Sequence, residues 1–389
     1  MAVLRSLRAG DGRLLDRALV LWLPGPGSYS GEDCAELHLH GGRGVLAGVV
    51  AALLDLGARP AEAGEFTRRA FLNGRMDLVE AEAIGDLVAA ETEAQVQQAL
   101  RQMQGALGEQ YRAWSARLLR LLAGLEALID FPDEDLPDEV AAAGRTELMT
   151  LAAEIARHLD DGGRGERLRD GLICAIIGAP NAGKSTLINS LARREVAIVA
   201  PSPGTTRDVL EARVEFGGVP VTLLDTAGLR DSSDPVEAEG VRRARALAAS
   251  ADIVVFVHDA TVLPPAVAGF GSALVLHVAN KLDLSPSIPP AWIGVSALTG
   301  AGIAGLEAAL ATATRDLTEI AGPAPLTRAR HRAALLAARQ ALEAAVSAPL
   351  AELQAEEVRL AMRCIGKVVG SYGIEDILDS VFGQFCIGK

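Results

Sequence analysis

Apolar and polar positions along the chain fall into four textures. From Met1 to about Arg75, short apolar runs (Ala18 to Leu23, Ala35 to Leu39) alternate with breakers such as Pro24-Gly25-Pro26-Gly27 and Gly41-Gly42, and a helical pattern runs from roughly Val45 to Leu56. That alternation predicts a small α/β unit over residues 1–75. From Met76 the period lengthens. Val96, Leu100, Met103, Leu107, Tyr111, Trp114, Leu118, Leu121, Leu125 and Leu128 recur at steps of three and four until Phe131-Pro132 stops them. The spacing predicts one face of a long helix. A second helix through Leu148, Leu151, Ile155 and Leu159 is expected to end near Gly162-Gly163. Stripes of this kind are expected to pack a bundle rather than line a cofactor.

The third texture, over residues 168–321, alternates short apolar strands with Gly-rich turns and helices, the pattern of a parallel α/β sheet. Gly322-Pro323-Ala324-Pro325 reads as a linker, and helical texture resumes from about Leu326 to the C-terminus. The simplest architecture has residues 76–167 and 322–389 forming one helical bundle. The α/β domain is inserted between them, and the small α/β domain precedes both. No internal repeat is visible.

Composition narrows the possible partners. The 389 residues carry a formal charge of −13, so a free polyanion is repelled overall and nucleic acid requires local basic patches or a partner protein. Half the residues are hydrophobic and only 4% are aromatic, which suits globular folding with a helical bias. Cys34, Cys174, Cys364 and Cys386 lie far apart, without paired metal spacing, which fits a reducing cytosol. No apolar stretch is long enough to span a bilayer and the start lacks a signal-peptide core, so a cytoplasmic protein without membrane contact is expected.

The chemistry lies in the third segment. The apolar run Leu172-Ile173-Cys174-Ala175-Ile176-Ile177 feeds directly into Gly178-Ala179-Pro180-Asn181-Ala182-Gly183-Lys184-Ser185, a phosphate-binding (P-loop) pattern in its required strand-to-helix context. Its glycines allow successive amides to converge on phosphate oxygens at a helix N-terminus. Asn181, Ala182, Gly183, Lys184, Ser185 and Thr186 are the candidate phosphate contacts. Lys184 brings a charge near the β and γ phosphates, and Ser185 brings a hydroxyl for Mg²⁺.

Guanine selectivity is read from Asn280-Lys281-Leu282-Asp283, after the apolar run Ala273 to Val278, together with Ser296-Ala297 after Trp292 to Val295. The Asp283 carboxylate can accept from the two donors of guanine, and adenine presents no such pair. Asp225, at the end of Val221-Thr222-Leu223-Leu224, is placed to hold Mg²⁺ through water, and Gly228 to offer its amide to the γ-phosphate. Gly204-Thr205-Thr206-Arg207-Asp208 reads as a loop that closes over Mg²⁺, with Thr206 as a candidate ligand. Leu229 stands where many small GTPases carry the water-orienting Gln, leaving Asp231, Asp234, Glu237 and Glu239 as acids for that task.

With these residues assembled, the chain resembles the tRNA-modification GTPases known as MnmE or TrmE. The resemblance covers essentially the whole chain: Phe66-Thr67-Arg68-Arg69-Ala70-Phe71-Leu72-Asn73-Gly74, Ala81-Glu82-Ala83-Ile84, Ile129-Asp130-Phe131-Pro132 and the terminal Cys386-Ile387-Gly388-Lys389. It implies a P-loop GTPase domain inserted in a helical bundle, activated by K⁺ and forming homodimers through its N-terminal and nucleotide domains. By the same analogy Asn181 and Thr205 would hold K⁺, Glu237 would orient the attacking water with Lys184 as the catalytic cation, and Arg75 and Cys386 would belong to a tetrahydrofolate and modification site. The family works with an FAD-dependent partner protein on tRNA, building an aminomethyl-type group at C5 of the wobble uridine. Family members usually begin with a further segment ahead of the region equivalent to Met1, so the N-terminal domain is expected to be incomplete here. Ala179 replaces an Arg that some relatives carry in the phosphate loop, with little expected consequence.

Weaker candidates remain. His38 and His40 share one strand face with no carboxylate evident nearby, and strand packing is expected. Arg328, Arg330, His331, Arg332 and Arg339 are either a tRNA phosphate contact or a solvated helix face. Cys386 is either a reactive thiol facing the folate or a small buried residue. Two other classes compete. A ribosome-assembly GTPase binding rRNA would need an appended RNA-binding module, and a mechanical GTPase acting on membranes would need a lipid-inserting segment. Neither feature is found.

Overall fold

The computed structural model describes residues 2–130, 138–194, 211–225, 249–262, 273–284, 288–319, 325–373, 375–383 and 385. In chain order, the elements begin with β1 (Ala2–Arg8), β2 (Leu14–Leu23), β3 (Cys34–His38), α1 (Arg43–Asp55), α2 (Glu65–Leu72), α3 (Leu78–Ala89), α4 (Glu93–Met103), α5 (Ala106–Asp130), α6 (Asp138–Leu159) and α7 (Arg164–Asp170). They continue with β4 (Leu172–Gly178), α8 (Lys184–Arg194), β5 (Glu211–Phe216), β6 (Val219–Asp225), β7 (Ile253–Asp259), β8 (Leu274–Asn280), β9 (Ile293–Gly294), α9 (Ile303–Thr318), α10 (Ala329–Ser347), α11 (Ala351–Val369) and α12 (Glu375–Phe382). They form two compact units: Met1–Gly85 with Gln102–Ala152 and Ala337–Lys389, and Asp86–Arg101 with Ala153–Leu336.

The first unit opens with the antiparallel sheet β1-β2-β3, and α1 lies against β2. A capping box starts α3: the Asp77 carboxylate accepts from the Glu80 amide at 2.9 Å, and the Glu80 carboxylate accepts from the Asp77 amide at 2.8 Å. The single long helix expected from Val96 to Leu128 is instead two, α4 and α5. The break falls at Gly105, whose φ of 79° lies in the left-handed region that residues with a Cβ avoid. Beyond the break the stripe packs as expected, with Leu107, Tyr111, Trp114, Leu118 and Leu125 buried. Helix α11 packs along α5, where Arg359 pairs with Glu126.

Before the break the stripe assigns the wrong face. Leu100 and Met103 are exposed, while Gln95, Gln98 and Gln102 are buried. The reason is a set of hydrogen bonds that periodicity does not register. In the second unit, Gln95 donates from Nε2 to the carbonyl of Arg169 at 2.9 Å and Gln98 to that of Gly165 at 3.0 Å. His38 and His40 also depart from expectation. Both are exposed, not packed, and each has a carboxylate beside it: Glu36 at 3.4 Å and Asp16 at 2.8 Å respectively. Among the described residues no cluster of three or more His, Cys, Asp or Glu side chains could hold a metal.

In the second unit the described strands form a six-stranded sheet in the order β5-β6-β4-β7-β8-β9. All pairings are parallel except β5 with β6, so the expected parallel sheet carries one antiparallel edge. The turn between β5 and β6 is Gly217-Gly218, both at positive φ, which joins neighbouring strands as a tight hairpin and not as a crossover. The core strands are apolar on both faces because helices must cover both. Leu172, Cys174, Ile176, Ile253, Val255 and Val278 all belong to one buried cluster with Leu187, Leu191, Ile303 and Leu306 from the helices.

In the cationic cluster around α10, Arg328, Arg332 and Arg339 are each paired with acidic side chains. Arg328 pairs with Asp86 at 2.7 Å. Arg332 meets Asp161 at 2.5 Å, Glu166 at 3.1 Å and the Leu159 carbonyl at 2.8 Å, and His331 is buried. Arg339 pairs with Glu343 at 3.3 Å. Asp86 also accepts from Arg169 at 2.8 Å, so one largely buried carboxylate holds two guanidinium groups. Removing Asp86 takes from two partly buried guanidinium groups the carboxylate they share, at a cost of roughly 3 kcal/mol. Asp86→Ala should therefore lower the urea midpoint of unfolding clearly. A midpoint equal to the parent's would show that these pairs contribute nothing.

Candidate nucleotide-binding site

The phosphate loop forms where a buried strand meets a helix. Strand β4 is buried at Leu172, Cys174, Ala175, Ile176 and Ile177 and ends at Gly178, packed so closely on the Val257 carbonyl that a Cβ would overlap it. The loop then turns through Asn181 at φ 62° and Gly183 at φ 92° into α8. The first amides of a helix lack acceptors within it, so the start of α8 together with the loop suits an anion. Lys184 is buried and donates from Nζ to the carbonyls of Gly178 at 3.0 Å and Ala179 at 2.9 Å. Its ammonium is thereby held across the loop mouth. Ala182 is buried, and Ser185 and Thr186 occupy the first turn of α8.

The Ser185 hydroxyl donates to the fully buried Asp225 carboxylate at 2.6 Å. Parallel register makes this meeting: Ile176 pairs with Asp225, so β6 ends beside the start of the loop. A hydroxyl and a carboxylate are hard oxygen donors, the set that Mg²⁺ takes alongside phosphate and water.

Asn280 joins the phosphate loop to the base loops. Its Nδ2 donates to the Ala182 carbonyl at 2.8 Å, and its Oδ1 accepts from the Ala297 amide at 3.0 Å. A Cβ on Gly183 would collide with that Nδ2, so glycine is required there by space as well as by φ. Lys281 adopts φ 67° and pairs through Nζ with Asp259 at 2.6 Å. The Leu282 amide donates to the Val295 carbonyl at 3.0 Å, leaving Asp283 exposed at the rim. Ser296 is fully buried; its hydroxyl accepts from the Thr299 amide at 3.2 Å. The fold thus brings together the phosphate-loop residues, Asp225, Asn280, Lys281, Asp283, Ser296 and Ala297.

A family model described as the MnmE helical domain matches residues 78–386, and one described as the GTP-binding protein TrmE N-terminus matches residues 1–75. The tRNA modification GTPase MnmE of Granulibacter bethesdensis is 56% identical over 99% of this chain and 90% of its own length. That of Gluconacetobacter diazotrophicus is 56% identical over 97% of this chain and 86% of its own. The chain belongs to the MnmE family of tRNA modification GTPases. A crystal structure of Aquifex aeolicus Era bound to GDP.AlF4− is also similar, at 26% identity over 44% of this chain and 66% of that one. Its TM-score is 0.28, so the fold assignment stands on strand order and not on that likeness.

Gly228, Glu237, Thr205, Thr206 and Cys386 lie outside the described residues. Arg75 is exposed in the turn after α2, in the first unit; its amide donates to the Ala70 carbonyl at 2.9 Å and its side chain lies beside Gly31. Nearby, Asn73 donates to the Ser30 carbonyl at 2.9 Å and to Glu32 at 3.1 Å. Sequence reading passed over Asp259. Its only signal is an acid following the apolar run Ile253 to Val257 and His258, much as Asp225 closes another run.

Asp283 at the rim generates a direct test. In Asp283→Asn an amide replaces a double acceptor, so GTP affinity should fall by at least about tenfold while xanthosine triphosphate gains. A titration giving the parental GTP affinity would remove Asp283 from the base contact.

Proposed function

We propose that the chain hydrolyses GTP to drive formation of an aminomethyl-type group at C5 of the tRNA wobble uridine, together with an FAD-dependent partner protein. Family membership supports the setting. The observation that carries the reading is the buried Asn280 bridge, which ties a phosphate cradle to a guanine-type base loop. Mg²⁺ would be held by Ser185 and Asp225 with Thr206, and would neutralise charge on the phosphates. K⁺ would be held by Asn181 and Thr205, close to the charge developing at the phosphate. Lys184 would neutralise the phosphates, Gly228 would donate to the γ-phosphate, and Glu237 would orient the attacking water. A tetrahydrofolate derivative would bind the N-terminal domain near Arg75, with Cys386 in the same modification site.

We assign residues 1–75 to that N-terminal domain, 76–167 and 322–389 to the helical domain and 168–321 to the GTP-binding domain. The chain would form homodimers through its N-terminal and nucleotide domains; for the N-terminal domain this is supported by the exposed apolar ridge of α1, formed by Leu46, Val50, Leu53 and Leu54. A cytoplasmic location is supported by the free thiols of Cys34, Cys174 and Cys364. Among the described residues, no helix is long and apolar enough to cross a membrane.

Two experiments test the proposal. Glu237→Ala should bind GTP like the parent but hydrolyse it at least about a hundredfold more slowly, because the residue acts on water. In a strain deleted for the gene, mass spectrometry of tRNA nucleosides should show the wobble modification missing. The parental chain should restore it and Glu237→Ala should not. Normal tRNA modification in the deletion strain rejects the function, and parental hydrolysis by Glu237→Ala rejects the residue.

The cation gives an independent check. A cavity of carbonyl and amide oxygens distinguishes ions by size, so turnover should be at least about tenfold faster in KCl than in NaCl at equal ionic strength. Asn181→Ala should erase most of that difference. Equal rates in the two salts across a range of protein concentrations would eliminate the K⁺ site.

A further inference from the structure

The base loop departs from β8 through a residue in an unfavourable conformation. Lys281 has φ 67°, in the left-handed region that costs a side chain with a Cβ and that glycine or asparagine ordinarily fills. Such a turn persists only where neighbours hold it. Asp259, at the end of β7, sits directly across the sheet, paired in register with Asn280. One of its carboxylate oxygens, Oδ1, accepts from the Thr261 amide at 3.0 Å and from the Thr261 hydroxyl at 2.7 Å. That closes a local turn and leaves the carboxylate little freedom. The other, Oδ2, receives the Lys281 ammonium at 2.6 Å. The Ala260 amide donates to the Asn280 carbonyl at 2.9 Å, locking the backbones of the two strand ends together.

Partial burial alone would raise the Asp259 carboxyl, but the Lys281 ammonium and the two Thr261 donors outweigh it and bring it down to about 2. The carboxylate is therefore charged at every working pH, and its bond to Lys281 is charge-assisted throughout.

We propose that Asp259 is a positioning residue for guanine recognition: it pins Lys281 in the left-handed turn that presents Asp283 at the rim of the base site. Asp259 need not touch the nucleotide. It acts by holding Asn280-Lys281-Leu282-Asp283 in the binding shape before GTP arrives, so that binding does not have to order the loop. The inference rests on the base-site reading above and adds to it a residue that neither phosphate nor base contacts.

The test is a cycle of nucleotide affinities with a fluorescent GTP analogue. Asp259→Asn keeps the shape of the side chain but exchanges the charged oxygen for an amide, and should weaken binding about tenfold, the scale of one released strained residue. Glycine adopts φ 67° without strain, so in a Lys281→Gly background Asp259→Asn should cost under about twofold. An equal loss in both backgrounds, or no loss in the parent, overturns the proposal. Circular dichroism establishes that each variant is folded. Should Asp259→Asn fail to fold, Asp259→Ser, which retains a hydroxyl for Thr261, carries the same comparison. Asp283→Asn in the same titration separates the two readings. Parental affinity in that variant rejects the base site itself, whereas a loss there beside none in Asp259→Asn rejects only the role of Asp259.

Discussion

The nucleotide domain depends on one buried carboxamide. Asn280 spends both ends of its side chain on backbone, donating to Ala182 in the phosphate loop and accepting from the Ala297 amide in the second base loop. A buried amide left without partners costs about 1–3 kcal/mol, so the three segments are held at fixed separation by a penalty against moving apart. The candidate phosphate loop and base loops are thereby tied into one rigid frame, although Ala182 and Asn280 lie 98 positions apart along the chain.

Around that bond, the site relies on backbone conformations that most residues avoid. Asn181, Gly183 and Lys281 all have positive φ. Asparagine tolerates the left-handed region and glycine adopts it freely, while lysine does so here against its preference with its ammonium bound to Asp259. The local strain lies in the two candidate loops, and the surrounding, mostly parallel sheet is rigid enough to sustain it.

The helical segments follow a different physics. In α5 the buried side chains fall on the apolar stripe, because its ion pairs leave from the other faces of the helix and packing decides which face is covered. In α4 glutamines take the buried face by donating to backbone carbonyls at both ends of α7, and leucine and methionine face outward. Asp86 similarly makes a connection that composition cannot announce, since its two arginine partners are 83 and 242 residues away.

The sequence alone determined the features that rest on local rules. Strand-to-helix context, glycines at the turns and a lysine in the first helical turn specify a phosphate loop, because backbone geometry and charge leave few other uses for that spacing. The same holds for the alternation of apolar runs with turns, which specifies a layered α/β domain. What only the tertiary structure decided is whatever depends on partners distant in sequence: the antiparallel edge at β5, the face that α4 buries, the carboxylates beside His38 and His40, and the ion pairs that occupy Arg328 and Arg332. Asp259 belongs with these. Its acid is visible in the chain, but its role exists only because parallel register sets the ends of β7 and β8 side by side and brings the Lys281 ammonium to its carboxylate.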